Sequence, residues 1–250
     1  MRVGLIGYGK AGSAVAQVLS EDTRYELQWI ATRSGNLTTV ALGDRSVPVT
    51  ALSRDHLSTW LDRHPVDALV DFSNAASAAV YADEIRRRGL TLVTAISSYD
   101  DAQLADIRTL GQHAKVLCSP NITVGINFLI MAARLLREIA PFADVEILEQ
   151  HFREKPEVSG TAKKIAESLD VGGEKITSMR LGGIVGHHEV IFGFPYQTVR
   201  LIHDSIKREA FGTGAAFALN ELRGCSNGFY TFEDLLMKRV RAQILEGYAR

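Results

Sequence analysis

The chain has 250 residues, of which 46% are hydrophobic and 23% charged, ordinary values for a globular protein that exclude intrinsic disorder. At roughly 150 residues per domain, the length allows one or two domains. Lys and Arg number 28 against 29 Asp and Glu, so the net charge of −1 counts against a nucleic-acid binder that works by neutralising phosphates.

The first residues, Met1-Arg2-Val3-Gly4-Leu5-Ile6, form a strand pattern that runs straight into glycines, without the apolar core or cleavage site of a targeting segment. Apolar runs at Arg2–Ile6, Leu27–Ala31, Ala68–Phe72, Leu92–Ala95 and Val116–Cys118 read as buried strands. Amphipathic stretches at Ala11–Leu19, Arg54–Arg63, Ala75–Arg88 and Ala102–Gln112 read as the helices between them. Strand–helix alternation at this spacing predicts a Rossmann-type α/β fold, a doubly wound parallel sheet whose ligands bind at the carboxyl ends of the strands.

The pattern changes after Pro120-Asn121. A long apolar helix over Gly125–Ile139 stops near Pro141, and a strand follows at Val145–Gln150, then a helix at Thr161–Leu169. Three β-like runs come next, at Ser178–Leu181, Val185–Phe192 and Gln197–Ile202, broken by Gly182-Gly183 and Pro195. One more helix at about Glu209–Arg223 and a Gly-Phe-Tyr turn complete the chain. This half predicts a second, α+β domain with a mixed or antiparallel sheet. The expected division is residues 1–121, completed by about 219–250, and residues 122–218. The longest uncharged run, Val116–Ala133, is interrupted by too many polar residues to span a bilayer. Cys118 and Cys225 lack metal-ligand spacing and read as buried thiols of a reducing compartment. The expected location is the cytoplasm, with no membrane or nucleic-acid partner.

The strongest local motif is Gly7-Tyr8-Gly9-Lys10-Ala11-Gly12, directly after a strand and opening a helix. Gly7 permits the tight turn, Gly9 lets backbone approach a pyrophosphate, and Gly12 lets the helix pack on the strand. A purely structural glycine turn is the competing reading. Dinucleotide folds hold the ribose 2′-hydroxyl with a carboxylate about 20 residues further on. Here that position reads Ala31-Thr32-Arg33-Ser34, and a guanidinium suits a 2′-phosphate. The cofactor expected is therefore NADPH, with NADH as the alternative, unless Arg33 is simply a solvated loop residue.

A second constellation runs from Glu149 to Ala162. His151 and Lys155 leave a strand four residues apart, and Ser159-Gly160-Thr161 precedes a helix. Ser159 or Thr161 can cap that helix, whose free N–H groups form an anion seat. Lys163 and Lys164 in its first turn oppose the helix dipole unless an anion is near. The plainer reading is a capped helix beside a surface histidine. His187-His188 with Glu189 lacks a third ligand, so no metal site is expected. There is no Gly-x-Ser-x-Gly elbow, and Asp100-Asp101 reads as a helix start.

Taken in order, the glycine loop, Asp71-Phe72-Ser73, Ser119-Pro120-Asn121 through Asn127, Glu149-Gln150-His151 with Lys155 and Ser159-Gly160-Thr161-Ala162, and Gly183 through Val190 resemble the dihydrodipicolinate reductase (4-hydroxy-tetrahydrodipicolinate reductase) family of bacterial lysine and diaminopimelate biosynthesis. The resemblance covers nearly the whole chain. It implies an NAD(P)H-dependent oxidoreductase with a cofactor domain built from both chain ends and a central substrate domain that forms a homotetramer. It implies cofactor contacts from Gly7 to Gly12, Arg33, Ser73, Ala95, Ser97, Ser119 and Asn121. His151 would be the proton donor, assisted by Lys155, with Phe152, Ser159, Gly160 and Thr161 around a small anionic imine. Three departures stand out. Phe152 replaces a second histidine, Pro156-Glu157-Val158 replaces Asp-Ala-Pro in a loop one residue shorter, and Ala95-Ile96-Ser97-Ser98 replaces Gly-Thr-Thr-Gly.

Hydride attack on a conjugated cyclic imine leaves negative charge on nitrogen, and an imidazole is suited to supply the proton near neutral pH. Two other functions fit parts of the pattern. A reductase of a different imine or carbonyl acid would suit the apolar Phe152. A non-catalytic nucleotide-binding sensor needs only the glycine loop, so His151, Lys155 and the Ser-Gly-Thr turn together weigh against it.

Overall fold

The computed structural model describes residues 1–34 and 37–247. The chain divides into two units, Met1–Thr123 with Phe211–Arg250, and Val124–Ala210. In the first unit β1 (Arg2–Ile6) leads through the glycine loop into α1 (Lys10–Glu21), and β2 (Glu26–Thr32) follows. A hairpin of β3 (Thr39–Leu42) and β4 (Arg45–Ala51) comes next, then α2 (Arg54–Arg63) and β5 (Ala68–Asp71). A short 3-10 turn at Ala75–Ser77 opens α3 (Ala78–Arg88), and β6 (Thr91–Thr94), α4 (Asp101–Leu110) and β7 (Lys115–Cys118) complete the alternation.

The hairpin has no counterpart in the sequence reading. Its turn is Gly43-Asp44, with Gly43 at φ +57° and Leu42 opposite Arg45, the compact geometry that glycine permits. Pro48 hides the strand pattern, because proline cannot donate to a ladder, yet here it sits opposite Thr39 of the edge strand β3.

In the second unit α5 (Val124–Ile139) is followed by β8 (Asp144–His151), α6 (Gly160–Ser168), β9 (Ile176–Arg180), β10 (Gly186–Phe194) and β11 (Gln197–Ser205). The four strands lie in the order β11-β10-β8-β9, antiparallel except for the parallel pair β8–β9, so the sheet is mixed. Ile126, Ile130, Ile147, Ile165, Val190 and Phe192 form its core, drawn from both helices and from the inner faces of β8 and β10.

The chain then returns through α7 (Glu209–Arg223) to β12 (Gly228–Tyr230) and α8 (Phe232–Gly247). The Gly-Phe-Tyr segment is thus an edge strand, paired in parallel with β7. Three residues are too few to show any periodicity. The last helix carried one legible signal: Thr231 caps it reciprocally with Asp234, whose backbone N–H donates to Thr231 Oγ1 at 3.1 Å. Its polar run from Lys238 onward hides the short buried stripe of Phe232, Leu235 and Leu236.

The first unit's sheet runs β12-β7-β6-β5-β1-β2-β4-β3, parallel except for β3. Strand order reverses at β1, so the crevice between the carboxyl ends of β1 and β5 is the switch point where doubly wound sheets take ligands. Trp29 is fully buried behind it, close enough to β1 that only a glycine fits at Gly4. No helix among the described residues is long and apolar enough to cross a membrane. Cys118 and Cys225 are half-buried and unbridged.

Candidate functional site

Two groups of candidate residues are brought together, one in each unit. In the first, Gly7 follows β1 with φ +93°, and a Cβ there would come within 2.7 Å of the Phe72 backbone. Gly12, on the first turn of α1, lies so close to the loop that a Cβ would meet Gly7 O at 2.1 Å. Both glycines are therefore demanded by the fold. Gly9, the N-cap of α1, differs: its φ of −82° and ψ of −165° suit any residue, and a Cβ would meet no atom within 4 Å. Nothing among the described residues requires a glycine at that position. The open space above it, facing the unbalanced positive start of a helix with no acidic first-turn residue, fits a phosphate-bearing group.

A cleft of about 180 Å³ adjoins this loop, lined among others by Gly7, Thr32, Arg33, Ser73 and Asn74. Arg33 stands exposed at the end of β2 and has no carboxylate partner among the described residues. Ser73 is held from beneath, its N–H donating at 2.9 Å to Asp71 Oδ1 and its hydroxyl donating to the same oxygen. Asp71 is completely buried and also accepts from Tyr81 Oη at 2.7 Å. Burial raises its carboxyl to about 6, against the pull of the Ser73 and Tyr81 hydrogen bonds. Tyr81 reaches on to Tyr99, whose hydroxyl lies 2.9 Å from Thr94 Oγ1 at the end of β6. This buried chain of polar groups underlies the segment carrying Ala95 and Ser97. Ser119 and Asn121 follow the neighbouring strand, with Ser119 Oγ donating to Asn121 O at 2.6 Å and its N–H to Thr94 O at 3.0 Å. Tyr8 is half-buried, while Lys10 is exposed at the start of α1.

In the second unit the site is built by strand alternation. Val145, Ile147, Glu149 and His151 point to the same buried face of β8. The first two join the core, and the last two are ionisable. His151 Nδ1 lies 2.5 Å from Glu149 Oε2, and Arg180 grips the same carboxylate with both terminal nitrogens, at 2.8 and 3.0 Å. Burial alone would raise Glu149, but hydrogen bonds from Arg180, Ser178, His151 and the Ser159 N–H lower it to about 2. An ionised carboxylate only accepts, so Nδ1 of His151 carries hydrogen and Nε2 is left as the working nitrogen. That nitrogen has no hydrogen-bond partner among the described residues, and Gly186 keeps it uncovered, since a Cβ there would lie 3.2 Å away.

His188, opposite Glu149 in the ladder, is 5.3 Å ring to ring from His151 and pairs through Nε2 with Ser159 Oγ at 2.8 Å. Burial, with His151 and His203 nearby, lowers it to about 3, so it remains neutral. Ser159 also caps α6, accepting from Ala162 N, and a Cβ on Gly160 would point into open space. The first turn of α6, at Gly160 and Thr161, thus begins beside the imidazole's own support. Lys155 is half-buried with no ion pair among the described residues, and Phe152 is 41% exposed. Glu149, Arg180 and His188 were not singled out as site residues in the sequence. The one signal for them was two ionisable residues at the inward positions of a buried strand. Among the described residues no three His, Cys, Asp or Glu side chains are placed to hold a metal ion.

The N-terminal family model described as dihydrodipicolinate reductase, N-terminus, matches residues 1–122, and its C-terminal counterpart matches residues 121–236. A 4-hydroxy-tetrahydrodipicolinate reductase of Laribacter hongkongensis is 31% identical over 198 residues, covering 68% of this chain and 73% of its own. Another, from Myxococcus xanthus, is 29% identical over 213 residues, covering 76% and 79%. Among solved structures, a dipicolinate-bound dihydrodipicolinate reductase from a Paenisporosarcina species has the same fold, with a TM-score of 0.78 at 22% identity over 92% of this chain and 97% of that one.

Proposed function

The chain belongs to the dihydrodipicolinate reductase family, and from that premise we propose that it reduces hydroxytetrahydrodipicolinate to tetrahydrodipicolinate with NADPH in preference to NADH. It is an oxidoreductase of a family that uses a nicotinamide cofactor. The reading rests above all on one observation: a histidine whose Nδ1 is fixed by a buried carboxylate and whose Nε2 is open, set beside the start of α6.

The substrate first loses its hydroxyl and a neighbouring ring hydrogen as water to give a conjugated cyclic imine, and the reduced nicotinamide, when bound, supplies the hydride that this imine accepts. Negative charge then develops on the ring nitrogen, and His151, as imidazolium, delivers the proton from Nε2 while Glu149 stabilises the charged ring. Lys155, with no ion pair among the described residues, assists that transfer and attracts the anionic substrate. The N–H groups at Gly160 and Thr161, with Ser159 holding the turn, receive a carboxylate. Phe152 lines the same site. In the first unit the loop from Gly7 through Tyr8, Gly9, Lys10 and Ala11 to Gly12 takes the pyrophosphate. Arg33 pairs with the 2′-phosphate, and Ser73, Ala95, Ser97, Ser119 and Asn121 flank the remainder of the dinucleotide. Residues 1–121 with about 219–250 act as the cofactor domain, and residues 122–218 bind substrate and self-associate.

The assembly proposed is a cytoplasmic homotetramer, and its self-association, though not its compartment or its count of four, is supported by where apolar surface lies. Apart from Leu37 and Leu245, the exposed large hydrophobic side chains described all fall in the second unit, including Phe128, Phe142, Tyr196 and Ile202. The deciding experiment is a turnover assay with enzymatically generated hydroxytetrahydrodipicolinate, run with each cofactor beside a panel of other cyclic imino acids. Brisk reduction of the family substrate is expected. No turnover of it, with rapid reduction of another imine, defeats the proposal.

A further inference from the structure

Arg180, the last residue of β9, lies opposite His151 in the parallel ladder and does more than neutralise Glu149. A guanidinium has five N–H donors in a rigid plane, and all five are used. Nη1 donates to Glu149 Oε2 at 3.0 Å and to Met179 O at 2.9 Å; Nη2 donates to Glu149 Oε1 at 2.8 Å and to Glu157 O at 2.7 Å. Nε donates to Lys155 O at 3.0 Å. One side chain therefore binds the carboxylate that orients His151 and, in the same plane, two carbonyls of the loop that carries Phe152 and Lys155. That loop has few other ties: Lys155 N donates to Phe152 O, and Arg153 N to Gly182 O.

We propose that Arg180 is the positioning residue that holds His151 and Lys155 in a single working geometry, fixing the imidazole tautomer through Glu149 and the lysine through the Lys155 and Glu157 carbonyls. This inference rests on the assignment of His151 and Lys155 as the proton-delivering pair. An ion pair needed only for folding would be served by any cation of similar length. The guanidinium plane matters only if the direction of all five bonds matters, because an ammonium offers three donors and no bidentate fork.

Arg180→Lys in the full chain separates the two roles. In the unliganded protein, 15N shifts of His151 should move from the Nδ1–H form to a mixture of tautomers, and backbone amides of residues 152–158 should exchange faster. With substrate, kcat should fall about 10–100-fold, the usual cost of misplacing a reacting group, while the dinucleotide KM stays unchanged. Arg180→Ala should regain part of the lost kcat on addition of guanidinium ion. Glu149→Gln is the second variant. It removes the carboxylate but leaves both loop carbonyls bonded, so it should disturb the His151 shifts and spare the loop amides. A folded Arg180→Lys protein with wild-type kcat, unshifted His151 nitrogens and unchanged exchange overturns the proposal. So does a Glu149→Gln protein whose loop amides exchange as fast as those of Arg180→Ala. The nitrogen shifts and amide exchange are read without substrate. An enzyme inert toward hydroxytetrahydrodipicolinate would therefore defeat the functional assignment, and these two measurements would still decide the role of Arg180.

Discussion

Replacing Gly9 by alanine tests the cofactor loop most sharply, because its three glycines differ in what they touch. A methyl at Gly12 would sit 2.1 Å from Gly7 O, and one at Gly7 would press on Phe72 backbone from a left-handed conformation. Either must move backbone, so Gly12→Ala should cost about 1–3 kcal/mol of stability. For a chain of this size that is roughly 2–4 °C of Tm per kcal/mol. The methyl of Gly9→Ala meets nothing within 4 Å, and the backbone there is extended. The stiffer unfolded chain favours alanine by about 0.4–1 kcal/mol, and its poor N-cap character opposes this by a similar amount. Tm should therefore barely change. The methyl instead occupies space assigned to pyrophosphate, and losing that approach should weaken NADPH binding at least tenfold, about 1.4 kcal/mol. Calorimetric titration of NADPH alongside a thermal melt reads both quantities on one sample. A Gly9→Ala protein with wild-type Tm and wild-type Kd would refute the loop's assignment as a phosphate seat.

Other expectations follow from the same geometry. Arg33→Ala should raise the KM for NADPH far more than that for NADH, by the roughly 1.5–3 kcal/mol of a charge-assisted phosphate contact, and equal effects would deny Arg33 that role. His151→Gln should lower kcat about 10²–10⁴-fold in steady-state assays while NADPH titration stays near wild type, since only proton delivery is removed. Asp71, raised from 3.8 to about 6 by burial, binds its proton more tightly when folded, so its charge weakens the fold fully above pH 6 and not at all below about 4. Asp71→Asn should therefore change the pH dependence of stability across that window, by at most about 3 kcal/mol. Urea melts of the two proteins giving parallel pH profiles would contradict it. Phe152→His, which places a polar partner at an exposed position of the site, should lower the KM for hydroxytetrahydrodipicolinate with kcat little altered; a raised KM would point to an apolar contact with the substrate.

The parallel sheet was legible because each of its buried strands is a short apolar run followed by an amphipathic helix, and both periods survive in the residues themselves. The hairpin at Thr39–Ala51 was not, since Pro48 argues locally against a strand that tertiary pairing nonetheless recruits. α8 escaped because its described buried residues lie in its first turns, where the Thr231–Asp234 cap was the better guide. The candidate site divides in the same way. Residues assigned to contact with a ligand announce themselves by local spacing, as the glycines and the Ser-Gly-Thr turn do, because a phosphate or a carboxylate meets neighbouring backbone atoms.

Residues that act on those residues are set by register instead. Glu149 lies on the inner face of a strand otherwise built of Val145 and Ile147, and a carboxylate buried so completely is costly unless a cation reaches it. A Glu149 buried in this way therefore needs a cation, and the sequence offers 28 lysines and arginines to choose from. Only the pairing of β8 with β9 selects Arg180, which stands opposite His151, just past the Ser178 that faces Glu149, and which lies 31 residues beyond Glu149 in the chain. The pairing of β8 with β10 likewise puts His188 across from Glu149 and within reach of Ser159. The imidazole's tautomer is thus decided by two strand pairings rather than by any motif. A homologous loop could keep His151, Lys155 and Ser-Gly-Thr and still lose the chemistry if a one-residue slip in β9 turned Arg180 to the opposite face of the sheet.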